Sequence, residues 1–317
     1  MTIGLDLGSH HFRSIRCVGD KLIARSCPAV YASLSDTPAH RRLLQQSNTQ
    51  IATCSDQLLV FGDAAMEWSA MLNLSLNPLL RGGRIPASDP VSRQILALMI
   101  DAILPAPDVF GVTCCLTIPG AGNDERIKNH DADFFQQIVT LRGYRPLVAT
   151  STQALAFAEL NDSSFTGITV SLGHTTCEFG VIHCGREIAR CVIMSGLERF
   201  DETSLLGDVT SFTDSSMKVS NTEKEYLSFI SDVVSEARSQ FEQDRTLQTL
   251  PQPMAVVCTG GITTSPAFLP LLQSIWNDSK WPISTRPIRV AANPNLAVAR
   301  GCLIQAELHR ADDRKVA

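Results

Sequence analysis

Two short stretches of this sequence place residues that can bind phosphate at the end of a predicted strand. The first is "TIGLDLGSHH", which begins at Thr2, and its Gly8 and Ser9 follow a run of alternating β-forming residues. Backbone N–H groups converge in such a turn and form a concave site for phosphate oxygens. Asp6 stands at the strand end, where its carboxylate can hold Mg²⁺ through water. A hairpin turn with a capping aspartate is the alternative interpretation of the same residues.

The second stretch, "GITVSLGHTT", begins at Gly167 and repeats the spacing of the first. Its apolar residues and Gly173 take the same positions relative to the turn, whereas Ser171 replaces the aspartate. A serine hydroxyl cannot hold a metal ion as a carboxylate does. The repeated strand and turn indicate that the chain contains the same unit twice.

The composition excludes several classes of function. The 317 residues suit two domains, and a net charge of −5 gives no basis for a nucleic-acid-binding surface. The ten cysteines lie mainly in apolar runs without a Cys-x-x-Cys pair, a pattern typical of free thiols in a reducing compartment rather than of zinc ligands. No stretch approaches the roughly 18 apolar residues of a membrane span, and the N-terminus does not read as a signal peptide. We therefore expect a cytoplasmic protein.

The order of predicted elements explains the repeat. Three strands, helices, a strand and a helix are followed by the same order again, which predicts an α/β duplication at the level of whole domains. The expected domains are residues 1–150 plus 295–317, and residues 151–294. A helix begins at "STQALAFAEL", with Ser151 or Thr152 as a possible N-cap. A cleft between the two domains brings the turns after Leu7 and Leu172 face to face.

Five motifs in this order resemble those of the actin, Hsp70 and sugar-kinase superfamily, and within it the bacterial actin homologue MreB. The motifs are "IGLDLGS", "VFGDAAMEWSAMLN" with "RGGRIPASDP", "SGLERFDE", "VVCTGGITTSPAFLPLL" and "NPNLAVARG". The resemblance covers most of the chain. It implies two duplicated actin-like (ribonuclease H-like) domains around a nucleotide cleft, with ATP and Mg²⁺ as the cofactors.

The resemblance also implies a set of nucleotide-binding residues. They are Asp6, Gly8, Ser9, His10, Gly173, His174, Thr175, Thr176, Gly196, Gly260, Gly261 and Ile262, with Asp6 as the metal ligand. The family expects Asp-x-Gly-Gly-Gly-Thr in the second turn, so His174 and Thr175 put side chains where a phosphate would lie against backbone. His174 either donates to a phosphate or fills the space of an absent one. Ile262 replaces a third glycine of the adenosine loop.

Several residues that the resemblance leads us to expect for ATP hydrolysis are absent from this sequence. The water-orienting Glu or Gln aligns with Ala149 or Thr150, so Thr150, Gln153 and Ser171 are the remaining candidates. Met66 stands where several relatives carry lysine. The segment "TSLLGDVTSFTDSSMKVSNT", residues 203–222, is too short for the family's small subdomain IIB, which walls the adenine pocket and contributes filament contacts. These departures predict a largely missing subdomain and lost catalytic carboxylates.

The resulting expectation is an MreB-like cytoskeletal scaffold or binding module with little or no ATP hydrolysis, in which residual ATPase activity remains an open question. The alternative is an active, polymerising ATPase that acts in cell shape or division; a small-molecule kinase or chaperone-like relative fits least. Partners are self-association or an unidentified protein. Membrane contact is not expected, because Phe110 in "LPAPDVFGV" reads as the start of the next buried strand and no basic residues flank it. The alternative is that Val109 and Phe110 form an apolar loop of the kind that MreB-like proteins can insert into a membrane.

Overall fold

The computed structural model describes residues 2–87, 89–120, 125–200 and 221–316. Within these ranges no helix combines the length and apolar character needed to cross a bilayer. The strands are β1 (Ile3–Leu7), β2 (His11–Val18), β3 (Lys21–Pro28), β4 (Val30–Ser35), β5 (Ala52–Cys54), β6 (Gln57–Phe61), β7 (Asn77–Pro78), β8 (Val112–Thr117), β9 (Tyr144–Ala149), β10 (Gly167–Leu172), β11 (Cys177–His183), β12 (Arg186–Ile193), β13 (Met254–Thr259) and β14 (Thr285–Val290). The helices are α1 (Pro38–Gln46), α2 (Asp63–Leu72), α3 (Pro90–Ile103), α4 (Glu125–Leu141), α5 (Ser151–Glu159), α6 (Asn221–Glu242), α7 (Phe268–Asp278) and α8 (Ala297–Val316).

Two five-stranded sheets have the same topology, as the repeated pattern predicts. Their orders are β3-β2-β1-β8-β9 and β12-β11-β10-β13-β14. In each sheet the first strand pairs antiparallel with the second and parallel with the fourth. Corresponding strands therefore end at corresponding places, and the duplicated α/β fold is confirmed. The residue bounds of the two domains stay a prediction.

Each sheet has its own apolar core. The first packs against α3 and α4 through residues such as Leu96, Met99 and Phe135. The second packs against α6 and α7 through residues such as Ile230 and Trp276. The apolar face predicted for the long helix, which includes Tyr226, Phe229, Ile230, Val233 and Val234, is buried there. Burial of these faces fixes the two sheets that present the turns.

Helix α8 crosses from the second half to the first and packs on β1, β8 and α5. Two glycines allow this close approach. A Cβ on Gly4 would lie 2.1 Å from the carbonyl oxygen of Ala299, and a Cβ on Gly301 would lie 1.7 Å from that of Ala154. The backbone of α8 is therefore in direct contact with β1 and α5, the elements that border the cleft.

A smaller four-stranded sheet has the order β5-β6-β4-β7 and packs on α1 and α2. Met66 on α2 is 47% exposed. The loop before β8 differs from the prediction: Val109 and Phe110 are 66% and 83% exposed, and the strand begins only at Val112. Gly111, with φ of 82°, turns the chain between the exposed loop and the buried strand.

Part of the sequence prediction lies outside the described residues. The proposed deletion of subdomain IIB rests on residues 203–222, and the structure describes this segment only from residue 221. The helix expected to begin in "RFDETSLLG" falls mainly on residues 201–207, which are likewise outside it. Both expectations remain predictions.

Candidate functional site

A cavity of about 370 Å³ lies where β1, β10 and β13 end. Turns from both sheets line it, together with the glycine turn after β13. The predicted residues that line it are Asp6, Gly8, Ser9, His10, Ser171, Gly173, His174, Thr176, Gly260, Gly261 and Ile262. Thr175, Gly196, Thr150 and Gln153 are not among its lining residues. The cavity size is within the range of small-molecule sites, and the roles of these residues toward a ligand stay a prediction.

The two repeated turns have the same backbone geometry. A Cβ on Gly8 would lie 2.9 Å from the carbonyl oxygen of His11, and a Cβ on Gly173 would lie 2.7 Å from that of Thr176. In both cases the obstacle is the carbonyl three residues further on. The tight turn therefore requires glycine at each position, whether or not a phosphate lies nearby.

The two turns touch each other across the cleft. The hydroxyl of Thr175 donates to Ser9 Oγ at 2.8 Å, and both residues are buried. The rings of His10 and His174 lie 4.9 Å apart between centroids. Thr175 therefore joins the two halves instead of facing the cavity.

Gly196 packs against the backbone of the second turn. A Cβ at this position would lie 2.2 Å from the carbonyl oxygen of His174. The short 3₁₀ turn that follows, Leu197–Arg199, donates the Leu197 and Glu198 N–H groups to the carbonyls of Gly173 and His174 at 3.2 and 2.7 Å. Gly196 thus shapes the site without lining it.

Asp6 projects from β1 with its side chain 15% exposed. The hydroxyl of Thr117 donates to its Oδ1 at 3.1 Å, and Arg13 Nη1 lies 3.7 Å from its Oδ2. Burial raises the pKa of Asp6, and the nearby Arg13 charge and the Thr117 hydrogen bond oppose that shift in part. Arg13 lies directly opposite Asp6 in the β1–β2 register and also lines the cavity. Sequence reasoning missed this cation.

Sequence reasoning also missed Glu178, which occupies in the second sheet the place of Arg13 in the first. Glu178 is the cross-strand partner of Ser171 in the β10–β11 register. It is 2% exposed and lines the cavity. The acid that is absent at position 171 is therefore present on the neighbouring strand. The signal was available, because Gly8 and Gly173 each precede these residues by the same five positions.

Three groups contact the Glu178 carboxylate. Arg190 Nη2 lies 2.5 Å from its Oε2, while Oε1 accepts from the Gly120 N–H at 3.3 Å and from the Ser151 hydroxyl at 3.5 Å. The Gly120 N–H belongs to the turn after β8, so this contact also joins the two halves. A carboxylate held in this way is poorly placed to take a proton from water.

Two other catalytic candidates from the sequence, Thr150 and Gln153, have side-chain partners outside the cavity. Thr150 is the N-cap of α5, where Ser151 or Thr152 was expected, and its hydroxyl accepts from the Gln153 N–H at 3.1 Å. The Gln153 side chain donates to the Gly185 carbonyl at 2.9 Å. Both side chains therefore have structural partners away from the cavity, and Ser171 is the only one of the three predicted candidates that lines it.

Imidazole rings occupy the part of the cavity between the two turns. His10 Nδ1 and His11 Nδ1 are 2.7 Å apart, and His174 approaches from the second turn. Burial, reinforced by His10, Arg13 and His174, lowers the pKa of His11 to about 4. His11 is therefore neutral near pH 7 in this arrangement.

The glycine turn after β13 forms a third wall of the cavity. Gly260 has φ of 131°, and a Cβ on it would lie 2.1 Å from the carbonyl oxygen of Leu172, so the turn is packed against β10. A Cβ on Gly261 would meet nothing within 4 Å, which leaves its face open. Ile262 is buried against the second core. This turn therefore presents exposed backbone and an apolar edge.

The residues present fit a nucleotide with magnesium in part. The cavity is lined by glycine turns, one arginine, and Asp6, whose carboxylate would hold a Mg²⁺ ion that takes its other ligands from water and phosphate. Among the described residues no cluster of three acidic, histidine or cysteine ligands could hold a metal ion alone. A magnesium ion here would depend on the phosphates that accompany it.

Comparison with known proteins identifies a matching family and solved structures of the same fold. Residues 1–206 match the family described as Volactin. The structure of MreB5 of Spiroplasma citri bound to AMPPNP superposes with a TM-score of 0.68 at 14% identity, over 100% of this chain and 98% of that chain. A MamK double helical filament gives 0.63 at 13% identity, over 96% and 98%. A search of curated proteins finds no match. The actin-like fold predicted from the five motifs is confirmed.

Proposed function

This chain belongs to the Volactin family, and on that premise we propose that it is a nucleotide-binding, self-associating protein of an actin-like cytoskeleton. The observation that carries the proposal is the cavity between the duplicated sheets, which both repeated turns and the Gly260–Gly261 turn line together. Two proteins of the same fold support it: one was observed as a double helical filament and the other bound to AMPPNP.

The chain's own residues suggest how a nucleotide is held. The two turns and Arg13 face the phosphates, Asp6 holds Mg²⁺, and the open face of Gly261 accommodates the adenosine. Bound magnesium supplies neutralisation of phosphate charge. The closed contact between Ser9 and Thr175 requires the two turns to adjust around the phosphates.

We expect ATP hydrolysis to be slow. Asp6 lies beside Arg13, and Glu178 has Arg190, Gly120 and Ser151 as partners. Among the described residues that line the cavity, no other carboxylate is present. General-base catalysis needs a group within reach of water and able to accept its proton. An active ATPase is the second candidate, and the observation in its favour is the position of Glu178 at the cavity wall.

The first experiment measures Mg²⁺-ATP binding by calorimetry and by the shift in thermal midpoint. A ligand that binds the folded state at a hundredfold excess over Kd stabilises it by about 2.7 kcal/mol. We expect a clear shift that Asp6→Asn abolishes and that Asp232→Asn, an exposed aspartate on α6, leaves intact. Sedimentation of the same samples tests for filaments, which we expect only with nucleotide.

Three outcomes separate the possibilities. Absence of a thermal shift at saturating ATP contradicts nucleotide binding. Binding without sedimentable assembly contradicts the cytoskeletal role. Turnover well above background that Glu178→Gln abolishes supports the active ATPase over the slow one.

A further inference from the structure

We propose that His10, His11 and His174 form the phosphate-recognition element of the cavity, and that a nucleoside triphosphate binds together with a proton taken up by these imidazoles. The inference rests on the proposed function, because it assumes that phosphates enter this cavity. The resemblance expects glycine-rich backbone in the second turn to bind phosphate. The proposal gives that role to the three histidines. It also predicts a pH dependence of binding that backbone recognition alone does not produce.

The geometry groups the three rings at the junction of the two halves. His10 follows the first turn, His11 begins β2, and His174 belongs to the second turn. The ring centroids of His10 and His11 are 4.4 Å apart, and those of His10 and His174 are 4.9 Å apart. All three side chains line the cavity. An anion between the turns therefore meets imidazoles from both sheets.

The contact between His10 and His11 defines where a proton can be added. Their Nδ1 atoms are 2.7 Å apart, so one Nδ1 donates its hydrogen and the other accepts it. A proton from solvent added to the ring that donates through Nδ1 gives an imidazolium ion with hydrogen on both ring nitrogens, and the Nδ1 contact is kept. The same addition creates an N–H donor of the charge-assisted kind that phosphate oxygens bind well.

The charge balance of the cavity favours this proton uptake. The other charged side chains that line the described part of the cavity are Asp6 on β1, Arg13 on β2 and Glu178 on β11, and Arg190 on β12 pairs with Glu178. Among these four side chains, the negative charges of the two carboxylates equal the positive charges of the two arginines. A triphosphate adds several negative charges, of which magnesium offsets only a part. Histidine is the side chain that gains a positive charge by taking up a proton near neutral pH.

The electrostatics of the histidine cluster agree in direction. Burial and the neighbouring His10, Arg13 and His174 depress the pKa of His11 to about 4. A phosphate beside the rings stabilises the charged form and raises the imidazole pKa. Binding is then strongest below the pKa of about 4, weakens by up to about tenfold per pH unit for one proton as the pH rises toward the raised pKa, and levels off above it.

Calorimetry in buffers of different ionisation enthalpy measures the proton directly. Mg²⁺-ATP is titrated near pH 6.5 into the full chain, and the slope of observed enthalpy against buffer ionisation enthalpy counts the protons taken up. We expect roughly half to one proton for the natural sequence. The triple variant His10→Gln, His11→Gln and His174→Gln is expected to lose this uptake and to bind more weakly. His40→Gln, on α1 outside the cavity, is the matched control.

Adenosine provides a test that needs no variant. It lacks phosphate, so we expect it to bind without proton uptake, whereas ATP takes up a proton. ATP binding without uptake, or uptake that the triple variant keeps, overturns the histidine assignment and leaves the proposed function standing. The former result means that the imidazoles only fill the space between the turns. Failure of ATP to bind at any pH overturns both.

Discussion

Glu178 and Arg190 form a buried ion pair on the two strands that follow the second turn. Glu178 is 2% exposed, and Arg190 Nη2 lies 2.5 Å from its Oε2. Removing one partner of such a pair leaves an uncompensated charge in a buried place and costs about 3–5 kcal/mol. We expect Arg190→Met to lower the free energy of unfolding by about this amount in urea denaturation.

The control for this prediction is the double variant. Glu178→Gln removes the charge that Arg190 compensates, so Glu178→Gln with Arg190→Met should lose clearly less than the sum of the two single changes. Additive losses would mean that the two side chains stabilise the fold independently, and that the short contact contributes little.

The sequence indicates a residue's place at the cavity where the chemistry is local, and does not where the place depends on strand register. Asp6 and Gly8 follow from a strand and a turn that can be read directly. Arg13 and Glu178 do not, because a residue on the return strand faces its partner only once the turn length is known. Thr175 was predicted to bind phosphate, but its hydroxyl bonds Ser9 in the other half. Contacts between distant parts of the chain are not visible in local patterns.

At the scale of elements, the packing of α8 against α5 sets how closely the two halves approach. Gly301 lies in the interior of α8, where alanine would ordinarily stabilise a helix by up to about 1 kcal/mol. Here a Cβ would lie 1.7 Å from the Ala154 carbonyl oxygen. We therefore expect Gly301→Ala to destabilise the protein by about 1–3 kcal/mol, which urea denaturation measures.

Whether Gly301→Ala stabilises or destabilises the protein decides between ordinary helix propensity and a steric conflict with α5. Ala311→Gly, at an exposed position further along α8, reports the ordinary helix propensity and should cost no more than about 1 kcal/mol. If Gly301→Ala stabilised the protein, the close contact between the two helices would be contradicted.

The elements themselves were largely predictable, because each has a strong apolar period and clear end signals. Helix α3 begins at Pro90 with Asp89 as N-cap, and the long helix has the expected buried face. The exposed loop at Val109 and Phe110 was predicted wrongly as the beginning of a strand. An apolar residue next to a strand has the same pattern whether it is buried or exposed, so only tertiary packing distinguishes the two.

At the scale of the whole molecule, a few direct contacts at the cavity link the two similar halves, in addition to the packing of α8 on α5. Thr175 donates to Ser9, and the Gly120 N–H donates to Glu178. The duplication and the cleft could be predicted from the repeated sequence. The closure of the turns upon each other could not, because it depends on the relative position of the two sheets. A ligand between the turns must therefore act on both halves at once.

Hydrogen exchange can test this coupling in the intact chain. We expect saturating Mg²⁺-ATP to slow amide exchange in three separate segments: residues 7–12, residues 172–178 and residues 259–264. These segments border one cavity but lie far apart in the sequence.

Stabilisation by about 2.7 kcal/mol at a hundredfold ligand excess corresponds to roughly hundredfold slower exchange wherever opening requires ligand release. The β5–β6 hairpin of the small sheet, residues 52–61, contributes no residue to the cavity and is the internal reference. Slowing in only one of the three segments would mean that the ligand binds one half alone, and the cleft would then not be a shared site.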